Sequence, residues 1–293
     1  MIIAHIIGGL GNQMFQYAAC LALSKSKGVE LKLDLRDFDS YKLHNGYELS
    51  RVFKGPFSIA EPNQIKQILG WRDSKLIRQL LIRQRLNWLR GKSFIVSPYF
   101  HYWSDFFNIP TNSYLIGYWQ SEKYFKHITL ELRSAFQFRT PLEDLNKSIA
   151  TNIEKGNSVS IHIRRGDYAT NSKNTSIYGV IPLSYYEKAI EFISGKIKNP
   201  RFFIFSDDIQ WAQENIQTNH PIQFIGHNRK EQSYIDMQLM SLCDHHIIAN
   251  SSFSWWGAWL NPKPEKIVVY PKKWFAGGGL DSRDLFPEDW ISL

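Results

Sequence analysis

Residues 158–168 read SVSIHIRRGDY, and the alternation in this stretch decides the fold. Successive strand side chains point to opposite faces, so Val159, Ile161 and Ile163 share one face while Ser160, His162 and Arg164 share the other. The apolar set needs a layer of helices to cover it. His162 and Arg164 are placed to serve one ligand. Past the strand, Arg165, Gly166, Asp167 and Tyr168 turn away. There a guanidinium can meet an anion with two parallel hydrogen bonds and a glycine lets the backbone approach. Asp167 could orient one of the arginines. A structural arginine–aspartate pair capping the sheet is the competing account, since such pairs are common.

Working outward, the second half of the chain alternates strands and helices. A helix is expected over 183–197, a strand over 201–206, a helix over 209–216 and a strand over 222–225. Helix 231–243, strand 246–249, helix 253–260 and strand 267–270 follow. This alternation predicts an α/β fold with a parallel sheet covered on both faces. The first half opens on strand 1–7, helix 14–27 and strand 29–35, with a further strand at 114–119 and a helix from Lys123 capped by Ser121. The polar stretch 151–157 marks a boundary, dividing the chain into domains 1–152 and 153–293. Two such domains would face one another across a cleft at the carboxyl ends of their strands, where open α/β sheets bind ligands.

Three more motifs lie at strand-to-helix transitions. Gly8-Gly9-Leu10-Gly11-Asn12-Gln13 offers backbone N–H groups and a helix dipole to an anion. It carries Met14 where a dinucleotide fingerprint needs its third glycine, which disfavours NAD. A tight turn alone is the bland account. Phe205-Ser206-Asp207-Asp208, followed by Trp211, supplies acids that could chelate a metal, bond a base or ribose, or cap the next helix. Asn250-Ser251-Ser252-Phe253 leads into Ser254-Trp255-Trp256-Gly257-Ala258-Trp259, whose hydroxyls suit phosphate and whose tryptophans are more often core than ligand.

The chain has 293 residues, 43% of them hydrophobic, which suits a protein that folds without staples. Cys20 and Cys243 lie far apart and show no metal spacing, which fits a reducing compartment. Neither a signal peptide nor an apolar run long enough to span a bilayer is visible, so the expected location is cytoplasmic. The net charge of +8 is concentrated in residues 64–92, where Lys66, Arg72, Lys75, Arg78, Arg83, Arg85, Arg90 and Lys92 face Asp73 alone. With Ile65, Ile68, Leu69, Leu76, Ile77, Leu80 and Leu81 at helical spacing, this predicts one or two basic amphipathic helices. A solvated face over a core-facing stripe is the ordinary account; peripheral contact with the inner face of a membrane, or binding of an anionic acceptor, is the sharper one. No nucleic-acid motif accompanies the charge.

Taken together, GGLGNQMFQYA (8–18), IHIRRGDY (161–168), FSDD with Trp211, and NSSFSWWGAWL (250–260) resemble the motif set of the bacterial α-1,2-fucosyltransferases of glycosyltransferase family 11. The resemblance spans nearly the whole chain in order, although the HxRxGD part is shared with other fucosyltransferases. It implies a GT-B fold of two Rossmann-like domains, GDP-β-L-fucose as donor, inversion to an α linkage, no metal or other cofactor, and a terminal β-galactoside acceptor, lipid-linked in some pathways. It further implies that Arg164 and Arg165, with Gly166 and Asp167, hold the diphosphate. His162 and Asp207 or Asp208 would contact guanine, with Ser206 beside them. Asn250, Ser251, Ser252 and Phe253 would complete the nucleotide pocket. Gly9, Gly11, Asn12 and Gln13 would lie on the donor from the other domain, Asn12 reaching the fucose or β-phosphate.

The general base is not identified by sequence; Asp34, Asp37, Asp39, Glu48 and Glu122 are candidates. Two other accounts compete. Asp37-Phe38-Asp39 could be a metal-binding DxD of a GT-A enzyme, or the many aromatics could mark a non-catalytic carbohydrate- or membrane-binding module.

Overall fold

The computed structural model describes residues 1–41, 44–166, 172–277 and 279–293. The chain divides into two compact units, Met1–Arg139 with Asp281–Phe286, and Thr140–Leu280 with Pro287–Leu293.

In the first unit, strand β1 (Ile2–His5) runs into helix α1 (Leu10–Ser26), strand β2 (Leu31–Asp34), the short helix α2 (Leu49–Val52), helices α3 (Pro62–Leu69) and α4 (Lys75–Leu81), strands β3 (Phe94–Val96) and β4 (Ser113–Ile116), and helix α5 (Thr129–Ala135). The four strands form a parallel sheet in the order β2-β1-β4-β3. Ile2 pairs with Leu31 on one side and Ser113 on the other, so β1, β2 and β4 end at one edge. Of the one or two helices expected in the basic stretch, two are present, α3 and α4. Pro62 opens α3 behind a capping box formed by Glu61 and Gln64. Ile65, Leu69 and Leu81 then pack with Ile3, Phe94 and Tyr114. Helix α1 begins at Leu10, four residues before the expected start, because its first turn absorbs most of the glycine-rich segment. Ser121 caps the turn Glu122–Tyr124 by accepting from Lys123 N, as its position suggested.

The second unit comprises helix α6 (Asp144–Ile153), strand β5 (Ser158–Ile163), helices α7 (Ser172–Tyr178) and α8 (Leu183–Ser194), strand β6 (Arg201–Ser206), helix α9 (Ile209–Asn215), strand β7 (Ile222–Ile225), helix α10 (Tyr234–Leu242), strand β8 (His245–Ile247), helix α11 (Ser252–Leu260), and strands β9 (Val268–Tyr270) and β10 (Ile291–Ser292). Its parallel sheet has the order β10-β9-β8-β5-β6-β7. The alternation read in residues 158–164 is realised. Val159, Ile161 and Ile163 are buried against Tyr185, Ala189 and Ile193 of α8 and Ala212 of α9, each such apolar side chain stabilising by about 1.5–3 kcal/mol. On the other face, Ser160 Oγ and His246 Nδ1 are 2.8 Å apart. Trp255, Trp256 and Trp259 are buried and pack on one another, with Trp290 against Trp255, so all three belong to the core.

The division after Arg139 differs from the expected break at 152/153, which falls inside α6. Helix α6 packs on α10 of the second unit through an apolar face, and the polar run 151–157 is the end of that helix and its turn. Residues 281–286 return to the first unit because Asp284 anchors there. Its carboxylate meets Lys123 Nζ at 2.5 Å and Tyr102 N at 3.2 Å, and its carbonyl accepts from Ser121 Oγ.

Candidate functional site

The parallel register of β5 and β6 builds the core of the site. His162 pairs with Phe205 and Ile163 with Ser206, so the next residues, Arg164 and Asp207, leave the sheet side by side. Asp207 Oδ2 lies 3.0 Å from Arg164 Nη1, and Asp207 Oδ1 accepts from Arg165 N at 2.9 Å. One carboxylate thus fixes both the guanidinium and the turn that follows it. Gly166 makes room for this contact, since a Cβ there would stand 2.8 Å from Asp207 Oδ2 and displace the carboxylate. Asp167, expected to orient an arginine, lies outside the described residues, and the carboxylate seen on Arg164 comes from β6.

The two arginines have different surroundings. Arg165 lies over the Trp211 ring, its guanidinium carbon 4.0 Å from the centroid, and its Nε is 3.5 Å from Asp208 Oδ2. Stacking on an aromatic face holds a guanidinium by cation–π attraction while its edges stay able to donate. Arg164 is held by charge. Asp208 also caps α9 by accepting from Trp211 N at 3.3 Å, and its own N–H donates to Ser206 Oγ at 3.0 Å. Both acids of the FSDD motif are therefore engaged within the protein, Asp207 on the arginine segment and Asp208 largely as a cap.

His162 is buried beneath Arg164, its ring 5.8 Å from that of Phe253. Burial pushes its pKa down to about 4, with the Asp207 carboxylate pulling it back up and Arg164 pushing it further down, so the imidazole is neutral at pH 7. Its Nδ1 is buried without a hydrogen-bond partner among the described residues. A buried polar atom without a partner is costly and calls for one, such as an ordered water or a ligand. Ser251 caps α11 by accepting from Phe253 N at 3.3 Å, and Ser252 and Phe253 form its half-buried first turn.

Asn250 has another role. It is buried, and its Nδ2 donates to Tyr178 O at 2.8 Å and Trp274 O at 3.2 Å, tying two loops to the end of the sheet. These bonds give it a structural role alongside the donor contact that the resemblance implies. Gln13 is likewise held within the protein. It is fully buried, its Nε2 donating to the carbonyls of Gly8 and Gly46 at 2.8 Å each and its Oε1 accepting from Glu48 N at 2.9 Å. Both of its donors are spent on fixing the turn.

In the first unit, Gly8 has a φ of +90° and Gly9 is the N-cap of α1. Asn12 N and Gln13 N donate to Gly9 O at 2.9 and 3.1 Å, and Gly11 is buried in the first turn. The N-terminus of α1 already carries an acid: the buried Glu48 carboxylate accepts from Leu10 N and meets Arg51 Nη2 at 2.7 Å. This charge weakens the expectation that the turn binds an anion through the helix dipole. Asn12 is the half-exposed side chain of the turn, and its Oδ1 accepts from Gln120 Nε2 at 2.7 Å. Gln120 was not singled out in the sequence. Its signal lies in its position just beyond β4, the sheet neighbour of β1.

Of the base candidates, Asp34 is bonded to Arg36 at 2.9 Å and to Tyr114 Oη at 2.7 Å. Asp37 lies 2.8 Å from His5 Nε2 and 3.2 Å from Arg78 Nη2, and its pKa is held at about 2, mainly by the His5 hydrogen bond. These partners occupy the first carboxylate of the DxD sequence, while Asp39 is exposed.

An arginine pair and a buried imidazole lie together at the carboxyl edge of one parallel sheet, an arrangement chemically able to meet an anion. The chain belongs to glycosyl transferase family 11, whose model matches residues 1–293, and is therefore a glycosyltransferase. It is 36% identical to the alpha-1,2-colitosyltransferase of Escherichia coli, over 100% of this chain and 99% of that protein. It is 37% identical to the O-antigen biosynthesis glycosyltransferase WbnK of Escherichia coli, over 98% of each. Galactoside alpha-(1,2)-fucosyltransferase 1 of Rattus norvegicus is 26% identical, over 86% of this chain and 61% of that protein. In fold, the chain is similar to the crystal structure of fucosyltransferase NodZ from Bradyrhizobium, with a TM-score of 0.53 and 15% identity over 89% of this chain and 92% of that one.

Proposed function

We propose that this glycosyltransferase moves L-fucose from GDP-β-L-fucose to the 2-hydroxyl of a terminal β-galactoside, with inversion to an α linkage and without a metal ion. The observation that carries the reading is the Arg164 guanidinium, held by Asp207 at the end of β5 beside the neutral His162, whose buried Nδ1 has no hydrogen-bond partner among the described residues. As the bond from the anomeric carbon to the diphosphate breaks, negative charge grows on the leaving GDP. A cation already fixed in position stabilises that charge with little reorganisation. Arg165, stacked on Trp211, supplies a second cation, and the pair neutralises what a divalent metal otherwise would. His162 Nδ1 finds its hydrogen bond on the nucleotide. The relatives named as α-1,2-transferases support the linkage, and the resemblance in motifs supports the donor.

Inversion brings the acceptor hydroxyl to the face opposite GDP. Asp34, Asp37 and Glu48 are poor bases there because cations and donors already satisfy them. A loose transition state with oxocarbenium character lessens the need for a strong base. The test is a screen of β-galactoside acceptors with GDP-fucose, the product linkage read by NMR. An α-1,2 product that disappears in Arg164→Ala is expected; transfer undiminished by that substitution would overturn the assignment.

The likeness to a colitosyltransferase favours a second donor. Colitose is the 3-deoxy counterpart of fucose. A site that bonds the 3-hydroxyl rejects the deoxy sugar by about 10⁴-fold or more, whereas an apolar pocket rejects the added hydroxyl only by about 10²-fold. The ratio of kcat/KM for GDP-fucose and GDP-colitose therefore separates the two readings.

A further inference from the structure

The basic stretch carries more than charge. Among the described residues, Trp71, Leu76, Leu80, Ile82 and Trp88 are exposed together in residues 70–89, Leu76 at 72% and Trp88 at 75%. They do not result from a helix that lacks a core-facing side. Helix α4 turns Ile77 and Leu81 into the core of the first unit, while Leu76 and Leu80, four residues apart, form a second apolar row facing out. The 3₁₀ turns Gly70–Asp73 and Gln84–Leu89, which carry Trp71 and Trp88, pack against α4 on either side.

The cations sort in the same way. Arg72, Arg78 and Arg90 turn inward and brace the segment: Arg72 Nε donates to Leu69 O at 3.0 Å, Arg78 Nη1 to Asp73 O at 2.8 Å, and Arg90 Nε to Leu81 O at 2.7 Å. Lys66, Lys75, Arg83, Arg85 and Lys92 are exposed. Asp73, the acid of the stretch, is spent on Arg36 at 2.9 Å and Arg78 at 3.7 Å, and among the described residues Lys75 alone of the exposed five stands near another acid, 4.0 Å from Asp37. The outer face therefore presents cations interleaved with indoles and branched aliphatic side chains.

We propose that this face docks on an anionic phospholipid surface. Lysine and arginine meet the headgroup charge, indoles settle at the headgroup level, and the aliphatic row enters the acyl boundary. A nucleic-acid backbone would take the cations but give Leu76, Leu80 and Ile82 nothing apolar to cover them. Among the described residues no helix is long and apolar enough to cross a membrane, so the contact is peripheral. The surface lies within the first unit and does not depend on which sugar is transferred.

Co-sedimentation of the full chain with phosphatidylcholine vesicles, with and without phosphatidylglycerol, tests this. Binding to the anionic vesicles is expected, weakening by at least about tenfold in Arg83→Glu with Arg85→Glu, and again in Leu76→Ser with Trp88→Ser. All four side chains are exposed, so both double variants should keep the wild-type melting temperature; Lys66→Glu with Lys92→Glu serves if either does not. Equal binding to both vesicle types, binding unchanged in the variants, or retention on double-stranded DNA but not on vesicles would overturn the proposal.

Discussion

The side-chain amide of Gln120 donates to Asn12 Oδ1 at 2.7 Å, joining residues 108 positions apart. They meet because β1 and β4 are parallel neighbours, Asn12 lying in the first turn of the helix that follows β1 and Gln120 in the segment that follows β4. Gln120 is buried and follows Trp119, whose φ of +52° is unusual for an aromatic residue and is held in place by the packing around it. With Oδ1 taken, Asn12 presents its amide donor. Gln120→Ala is expected to lower kcat by about tenfold, the size of one buried hydrogen bond. GDP affinity should be unchanged, so an equal loss of GDP binding by calorimetry would show that Gln120 acts on the whole fold.

Removing the Arg164 cation should cost about 10²- to 10³-fold in kcat, the scale seen when one fixed donor to a developing anion is lost. Arg164→Lys should recover little, since an ammonium cannot bond both Asp207 and a phosphate in the plane of a guanidinium. Asp207→Asn keeps the acceptor for Arg165 N and loses the charge that steadies Arg164, so its effect should be intermediate. Steady-state kinetics on the three variants, with GDP binding by calorimetry, checks this ordering.

Gly166→Ala is expected to damage the site while sparing the rest of the fold. The added Cβ would stand 2.8 Å from Asp207 Oδ2, so the carboxylate that holds Arg164 must move. Activity should fall to near that of Asp207→Asn, with a stability loss of about 1–3 kcal/mol. A fully active Gly166→Ala protein would show that the Arg164–Asp207 contact is dispensable.

His162 makes stability depend on pH in a defined direction. Its folded-state pKa is about 4 against an ordinary 6.5, so between those values the unfolded chain binds the extra proton. Stability from this residue is complete above pH 6.5 and falls on acidification until about pH 4, by about 1.4 kcal/mol for each pH unit of displacement. Denaturant unfolding across that range should show a shallower acid loss in His162→Gln than in the parent. Identical slopes would mean that the imidazole is solvated.

Turnover should survive EDTA, and added Mn²⁺ should not raise it. Asp37, the first acid of the DxD sequence, is already bonded to His5 and Arg78. Loss of activity on chelation, restored by Mn²⁺, would favour the DxD account over the arginine pair.

Much of the fold was legible because strand and helix periodicities are local. Residues 158–163 alternate, 183–194 repeat at helical spacing, and the series β5 to β9 follows with ends shifted by a few residues. Strand β3 was missed: Phe94–Val96 is three residues long, too short to establish a period, and pairs with β4. The motif residues divide by burial, which a motif does not report. His162 and Arg164 lie together at the strand end, whereas the buried Gln13 bonds to the carbonyls of Gly8 and Gly46 and to Glu48 N, and the buried Asn250 donates to Tyr178 O.

By itself the sequence determined that Val159, Ile161 and Ile163 face a helical layer, that Arg164 leaves the sheet on the side of His162, and that the tryptophans of 255–259 favour the core. Only the tertiary structure decided that Asp207 holds Arg164, that Arg165 lies on Trp211, that Glu48 occupies the start of α1, and that residues 281–286 rejoin the first unit. The reason is that backbone periodicity fixes which way a side chain points. The neighbour it meets depends on which distant strand lies alongside and in what register, and that is settled by burial of the whole sheet.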